Sequence, residues 1–156
     1  MILVLLIEDH DDTREMYSVA LQLEGFRVLA ADSGERALEM LAVETPSVIV
    51  TDISMPGMNG ATLCRHIRSM PHLRTVPVLA VTGLSSETTL AEVSAAGVCA
   101  LCPKPLSGDD LGTAVRSLLA ERTSCLRCWE TGAGFRSVSF GNKLSGWMRH
   151  DPLDRE

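Results

Sequence analysis

Val48-Ile49-Val50-Thr51-Asp52 is an unbroken β-branched run that ends in a carboxylate, and Leu3-Val4-Leu5-Leu6-Ile7-Glu8-Asp9 repeats the pattern near the start of the chain. Apolar runs without alternation predict strands covered on both faces, as in a parallel sheet flanked by helices. In such sheets the ligand crevice lies just outside the carboxyl ends of the strands. If these two strands are neighbours, Glu8, Asp9 and Asp52 meet in one cleft. Crowded carboxylates repel one another and lose hydration there. Such a cluster persists where a cation sits among the acids, or where one of them does chemistry.

Working outward, further apolar runs lie at Arg27–Ala31, Val76–Val81 and Cys99–Cys102, and the first run begins at Ile2. Helical spacing fills the intervals. Met16, Val19, Ala20 and Leu23 line one face of a first helix, with Asp11 or Asp12 as its expected cap and Gly25 as its stop. Ser33 is the expected N-cap of a second helix carrying Ala37, Leu38 and Leu41, and Pro46 lies beyond its end. Helices are also expected over Ala61–Ile67, over Glu87–Ala95 with Gly97 after it, and over Asp109–Leu119. Five strand–helix alternations predict a doubly wound parallel α/β sheet with helices on both faces.

With 156 residues the chain can bury one ordinary core. Its hydrophobic share of 46% and charged share of 22% fit a folded domain, and the scarcity of aromatics leaves Leu, Val, Ile, Ala and Met to build the core. The net charge is −6, and no basic run occurs. That surface is unfavourable for phosphate backbones, so no direct nucleic-acid binding is expected. The apolar start is only seven residues long and meets acids at once; no stretch reaches membrane-spanning length. A cytoplasmic location without membrane insertion is therefore expected, and the five cysteines are expected as free thiols. Residues 1–122 carry net −7 and residues 123–156 net +1. The acidity thus belongs to a domain over 1–122, followed by an extension over 123–156 with no repeated period. That extension is expected to be weakly ordered, with Phe135, Phe140 and Trp147 as groups that could dock on the domain or on a partner.

Four strand ends carry the chemistry-bearing residues: Glu8-Asp9 after the first, Asp52 at the third, Thr82 at the fourth, and Lys104-Pro105 after the fifth. In order, the motifs are Leu6-Ile7-Glu8-Asp9, Thr51-Asp52-Ile53-Ser54-Met55-Pro56-Gly57-Met58-Asn59-Gly60, Val81-Thr82-Gly83 and Pro103-Lys104-Pro105. Over residues 1 to 122 this order resembles the receiver domain of two-component response regulators, of the CheY-like superfamily. The resemblance implies a flavodoxin-like fold, a five-stranded sheet in the order 2-1-3-4-5 with five helices. It implies a phosphorelay function, in which a sensor histidine kinase or histidine phosphotransfer protein passes a phosphoryl group to Asp52 with Mg²⁺ bound. The domain would catalyse its own aspartyl phosphorylation and slow dephosphorylation, and signal to a downstream protein target through altered contacts.

The residue chemistry agrees. Asp52 is a carboxylate nucleophile able to form an acyl phosphate. Mg²⁺ takes carboxylate and water oxygens, so Asp9 and Asp52 serve as ligands and Glu8 acts directly or through water. Resemblance adds the backbone carbonyl of Ser54. Lys104 supplies a mobile positive charge and Thr82 a hydroxyl donor to phosphoryl oxygens. Resemblance also makes Thr82 a moving switch and Pro105 a cis proline. It places the output on the fourth helix, fifth strand and fifth helix. The family usually has Tyr or Phe three residues before the lysine; here Leu101 stands there, with no ring and no polar tip.

Other readings are weaker. A nucleotide or flavin protein of the same architecture needs phosphate-binding turns where this chain has acids. A metal-dependent acyl-phosphate hydrolase tends to carry an acid two residues after the nucleophile, where this chain has Ser54. A receiver fragment of a larger regulator or hybrid kinase remains an alternative of the same class. Cys99-x-x-Cys102 and Cys125-x-x-Cys128 have zinc-like spacing, but two cysteines three apart on a strand point to opposite faces. Cys64, Cys99 and Cys102 therefore read as small buried side chains, the loop methionines as packing groups, and His10 as a surface residue at the edge of the cleft.

Overall fold

The computed structural model describes residues 1–83, 86–121, 134–140 and 145–149. Strands β1 (Leu3–Ile7), β3 (Val48–Asp52) and β4 (Val78–Thr82) are buried along their whole length, as their unbroken apolar runs require. Strand β2 (Arg27–Ala31) lies at one edge and is half exposed; β5 (Ala100–Pro103) follows β4. The sheet order is β2-β1-β3-β4-β5, every pair parallel, as expected. Parallel neighbours need crossovers. Helices α1 (Asp11–Leu23), α2 (Gly34–Leu41), α3 (Gly60–Ser69) and α4 (Glu87–Ala95) provide them, and α5 (Gly108–Ala120) follows β5. Among the described residues no helix is long and apolar enough to cross a membrane.

Strand alternation divides the interior into two layers. Val4, Leu6, Leu79 and Val81 pack with Tyr17 and Leu21 of α1 and with Leu111, Val115 and Leu118 of α5. Leu5, Ile7, Val78 and Ala80 point the other way, toward Leu41 of α2, Ile67 of α3 and Val93 of α4. Successive residues of one strand thus face opposite helical layers.

Several local expectations need correction. Tyr17 and Leu21 form the buried stripe of α1, whereas Met16, Val19 and Leu23 are exposed. The i, i+4 pair turns toward the sheet because the tyrosine can bury its ring and still donate its hydroxyl to the Leu106 carbonyl at 3.1 Å. His10, not Asp11 or Asp12, is the N-cap residue of α1, and it makes no side-chain cap bond. The two aspartates occupy the first turn, where negative charge complements the helix dipole. Ser33 caps α2 as expected, accepting from the Arg36 amide, and Gly25 takes φ +95° just past α1.

The extension adds to the sheet. Strand β7 (Ser145–Arg149) pairs antiparallel with β5, and β6 (Phe135–Ser139) pairs antiparallel with β7, giving seven strands in all. Trp147 lies opposite Leu101 and Met148 opposite Ala100. Gly146 passes so close to β5 that a Cβ there would lie 2.5 Å from the Leu101 carbonyl oxygen. Phe140 and Met148 are buried. Arg149 donates to the carbonyls of Val98, at 2.8 Å, and Ser94, and its guanidinium lies 5.5 Å from the centre of the Phe135 ring.

Cys64 and Cys102 are free, buried thiols, whereas Cys99 is disulfide-bonded, against the expectation of thiols throughout. Pairing depends on which sulfurs the fold brings together, and spacing does not reveal that. Cys99 and Cys102 also share one core layer, because Cys99 lies just before β5 rather than in it. Cys125 and Cys128 lie outside the described residues.

Candidate functional site

Register brings the four strand ends level. Ile7 pairs with Thr51, Asp52 with Val81 and Thr82 with Pro103, so Glu8, Asp52, Thr82 and Lys104 leave the sheet at one edge. Burial follows: Glu8 is 2% exposed, Asp52 5% and Thr82 fully covered.

Lys104 joins two of the acids. Its Nζ lies 2.9 Å from Asp52 Oδ2 and 3.3 Å from Glu8 Oε2. Burial opposes the charge on Lys104, but the Asp52 hydrogen bond and the Asp52 and Glu8 charges outweigh it, raising its pKa above the usual lysine value. The Lys104–Pro105 peptide bond is cis. The remaining oxygen of Asp52, Oδ1, accepts from the Ser54 amide at 3.2 Å, so Ser54 is tied to Asp52 by its N–H.

The loop between Asp52 and α3 folds back tightly. The Gly60 amide donates to the Ile53 carbonyl at 3.0 Å, and a Cβ on Gly60 would lie 2.3 Å from the Asp52 carbonyl oxygen. Only glycine fits that approach. Asn59 then caps α3 by accepting from the Thr62 amide, and Met55 is buried with Met58 packed against the same core layer, as packing residues should be. A Cβ on Gly83 would meet nothing within 4 Å, which leaves open space beside Thr82.

The opposite side of Glu8 has a different character. Glu8 Oε1 faces the His10 ring, with Nδ1 at 3.2 Å, and the same nitrogen is 3.4 Å from Asp9 Oδ1. Glu8, Asp9 and His10 can each offer one donor atom within 4.8 Å of the other two. Asp9 Oδ1 is buried and has no hydrogen-bond partner among the described residues. A buried, unsatisfied carboxylate oxygen amid other donors fits a site for a hard divalent cation. Asp52 stands outside this tight group, across Lys104. The hydrogen bond to Glu8, then the charges of Asp9 and Glu8, raise the His10 pKa above its usual value. His10 is exposed at the edge of the cleft, as expected, and what the sequence does not show is the contact of its ring with Glu8 and Asp9.

Leu101 is fully buried in the layer of α2 to α4, with Ala80 opposite it on β4 and Trp147 opposite it on β7. The buried thiols are poor nucleophiles: burial pushes Cys64 up to about 11 and Cys102 to about 12. Beside Lys104 an open hollow of about 400 Å³ is lined by Thr13, Met16, Tyr17, Pro105 and Leu106.

The chain is similar to known proteins over most of its length. The family model described as response regulator receiver domain matches residues 4–116. Transcriptional regulatory protein CseB of Streptomyces coelicolor is 31% identical, covering 92% of this chain and 57% of that protein. Response regulator MprA of Mycolicibacterium vanbaalenii is 29% identical, covering 98% and 62%. The chain therefore spans about three fifths of the length of these curated relatives. Among solved structures, chemotaxis response regulator CheY4 of Vibrio cholerae superposes with a TM-score of 0.72 at 28% identity, over 76% of this chain and 98% of that one. The receiver domain of a signal transduction histidine kinase from Syntrophus aciditrophicus gives 0.71 at 29%, over 77% and 91%.

Proposed function

The chain belongs to the response regulator receiver domain family of two-component systems, and from that membership we propose that Asp52 accepts a phosphoryl group from a sensor histidine kinase or a histidine phosphotransfer protein. A carboxylate oxygen of Asp52 attacks phosphorus in line. The O–P bond forms as the P–N bond of the donor phosphohistidine breaks, and the electron pair stays on the imidazole nitrogen. Lys104 moves from Asp52 to a phosphoryl oxygen, and the Thr82 hydroxyl donates to another. Glu8, Asp9, Asp52 and the Ser54 carbonyl are the groups that would hold Mg²⁺. That ion supplies neutralisation of charge on the non-bridging oxygens. The carrying observation is the Lys104 ammonium shared by Asp52 and Glu8, next to a buried Asp9 oxygen that accepts no hydrogen bond among the described residues.

The phosphodonor protein docks over the hollow of Thr13, Met16, Tyr17, Pro105 and Leu106, whose apolar rim borders Lys104. Output is a change of protein–protein contacts. It runs from Thr82 through Leu101 to the surface of α4, β5 and α5, with Trp147 of the hairpin paired opposite Leu101. The function so proposed uses no nucleic-acid contact and no membrane insertion, and it is exercised in the cytoplasm. The test is intact-mass measurement after incubation with acetyl phosphate and Mg²⁺. One added phosphoryl group in the natural chain and none in Asp52→Ala is expected. An unmodified natural chain, or equal modification of Asp52→Ala, overturns the proposal.

A further inference from the structure

We infer that His10 is a ligand, through Nδ1, to the divalent cation of the Glu8–Asp9 site, and that it moves the preference of that site from magnesium toward first-row transition ions such as Mn²⁺ and Co²⁺. The inference rests on the reading of Glu8 and Asp9 as a cation site. Three observations carry it. His10 Nδ1 stands 3.2 Å from Glu8 Oε1 and 3.4 Å from Asp9 Oδ1. Ligands about 2.0–2.1 Å from an octahedral ion are about 3 Å apart when they are cis. The imidazole nitrogen is therefore at the separation a shared ion requires, a little expanded.

The two oxygens of Glu8 are also divided between tasks. Oε2 is engaged by Lys104, whereas Oε1 faces the His10 ring at 3.2 Å and also receives the His10 amide at 3.4 Å. Glu8 thus fixes both the backbone and the ring of His10 toward the same side. Finally, Asp9 Oδ1 is buried and accepts no hydrogen bond among the described residues, and the His10 ring nitrogen stands 3.4 Å from it. His10 caps nothing with its side chain, although it occupies the N-cap position of α1. The ring is 72% exposed and free to close the small gap.

The consequence is chemical. An all-oxygen site suits Mg²⁺, whereas an imidazole nitrogen adds affinity for transition ions in the Irving–Williams order. The full-length chain is titrated with Mn²⁺ and with Mg²⁺, and bound Mn²⁺ is examined by electron spin-echo envelope modulation for coupling to ¹⁴N. The natural chain, His10→Asn and Asp9→Asn are compared, with circular dichroism to verify folding. We expect nitrogen coupling in the natural chain and its loss in His10→Asn. The ratio of Mg²⁺ to Mn²⁺ dissociation constants should fall about tenfold in that variant. Mn²⁺ bound without nitrogen coupling, or an unchanged ratio in His10→Asn, overturns the role of His10 while leaving the cation site intact. Failure of the natural chain to bind either ion saturably, or equal binding by Asp9→Asn, overturns the cation reading and the inference with it.

Discussion

One ammonium shared by two buried carboxylates makes Lys104 the electrostatic centre of the site. Lys104→Met leaves Glu8 and Asp52 facing each other without a counter-charge. In the absence of metal the melting temperature should fall, and Mg²⁺ should restore more stability than it adds to the natural chain. Equal responses to Mg²⁺ in differential scanning calorimetry would argue against shared occupancy of one cleft. His10 gives a pH-dependent expectation. Its folded pKa is raised by Glu8 and then Asp9, so its contribution to stability is fully present below the unfolded value of about 6.5 and is lost as pH rises through the folded value. In a metal-free sample the NMR titration of the ring should have its midpoint above 6.5, and Glu8→Gln should move it down. The glycines of the site differ sharply. Gly60→Ala puts a methyl against backbone and should cost about 1–3 kcal/mol in urea unfolding. Gly83→Ala meets open space and should stay within about 0.5 kcal/mol of the natural chain.

At the scale of elements, the hairpin of β6 and β7 is joined to β5 by a short ladder, by the close pass of Gly146, and by the Arg149 hydrogen bonds to carbonyls at the end of α4 and the turn after it. Gly146→Val drives a side chain into the Leu101 carbonyl and the Phe140 ring. Hydrogen exchange over residues 145–149 should accelerate strongly, while the parallel strands β1 to β4 keep their protection. Unchanged exchange would mean the hairpin is held by something other than this approach. Arg68 of α3 acts as a second clamp. Buried, it donates to the carbonyls of Gly97, Leu73, Arg74 and Val76, which ties α3 to the chain entering β4 and β5. Arg68→Leu leaves these acceptors without their donor and should cost about 3 kcal/mol, read from the denaturation midpoint. A loss below about 0.5 kcal/mol would show that other donors take over.

Across the whole molecule, the parallel sheet was legible because β1, β3 and β4 are covered on both sides and therefore need unbroken apolar sequence. The site was legible for a related reason: residues at the carboxyl ends of parallel strands must gather once the registers align, so Glu8, Asp52, Thr82 and Lys104 could be read from their distance beyond each run. The buried face of α1 was not legible, since Met16 and Val19 have the same apolar spacing as Tyr17 and Leu21, and only the docking of α5 and the sheet selects between them. Nor were β6 and β7: Phe135-Arg136-Ser137-Val138-Ser139 and Ser145-Gly146-Trp147-Met148-Arg149 carry little β-pattern of their own. β7 pairs with the edge of β5 and β6 with β7, and an exposed edge satisfies its N–H and C=O groups with whatever strand reaches it. The parallel α/β core and the acids and lysine at its strand ends are readable in the residues alone, because burial on two faces and strand direction are written locally. Tertiary structure alone decided that His10 turns to Glu8 and Asp9, that Cys99 is oxidised, and that the extension closes the β5 edge, because each depends on groups brought together from outside its own stretch of chain or on a rotamer that spacing does not set.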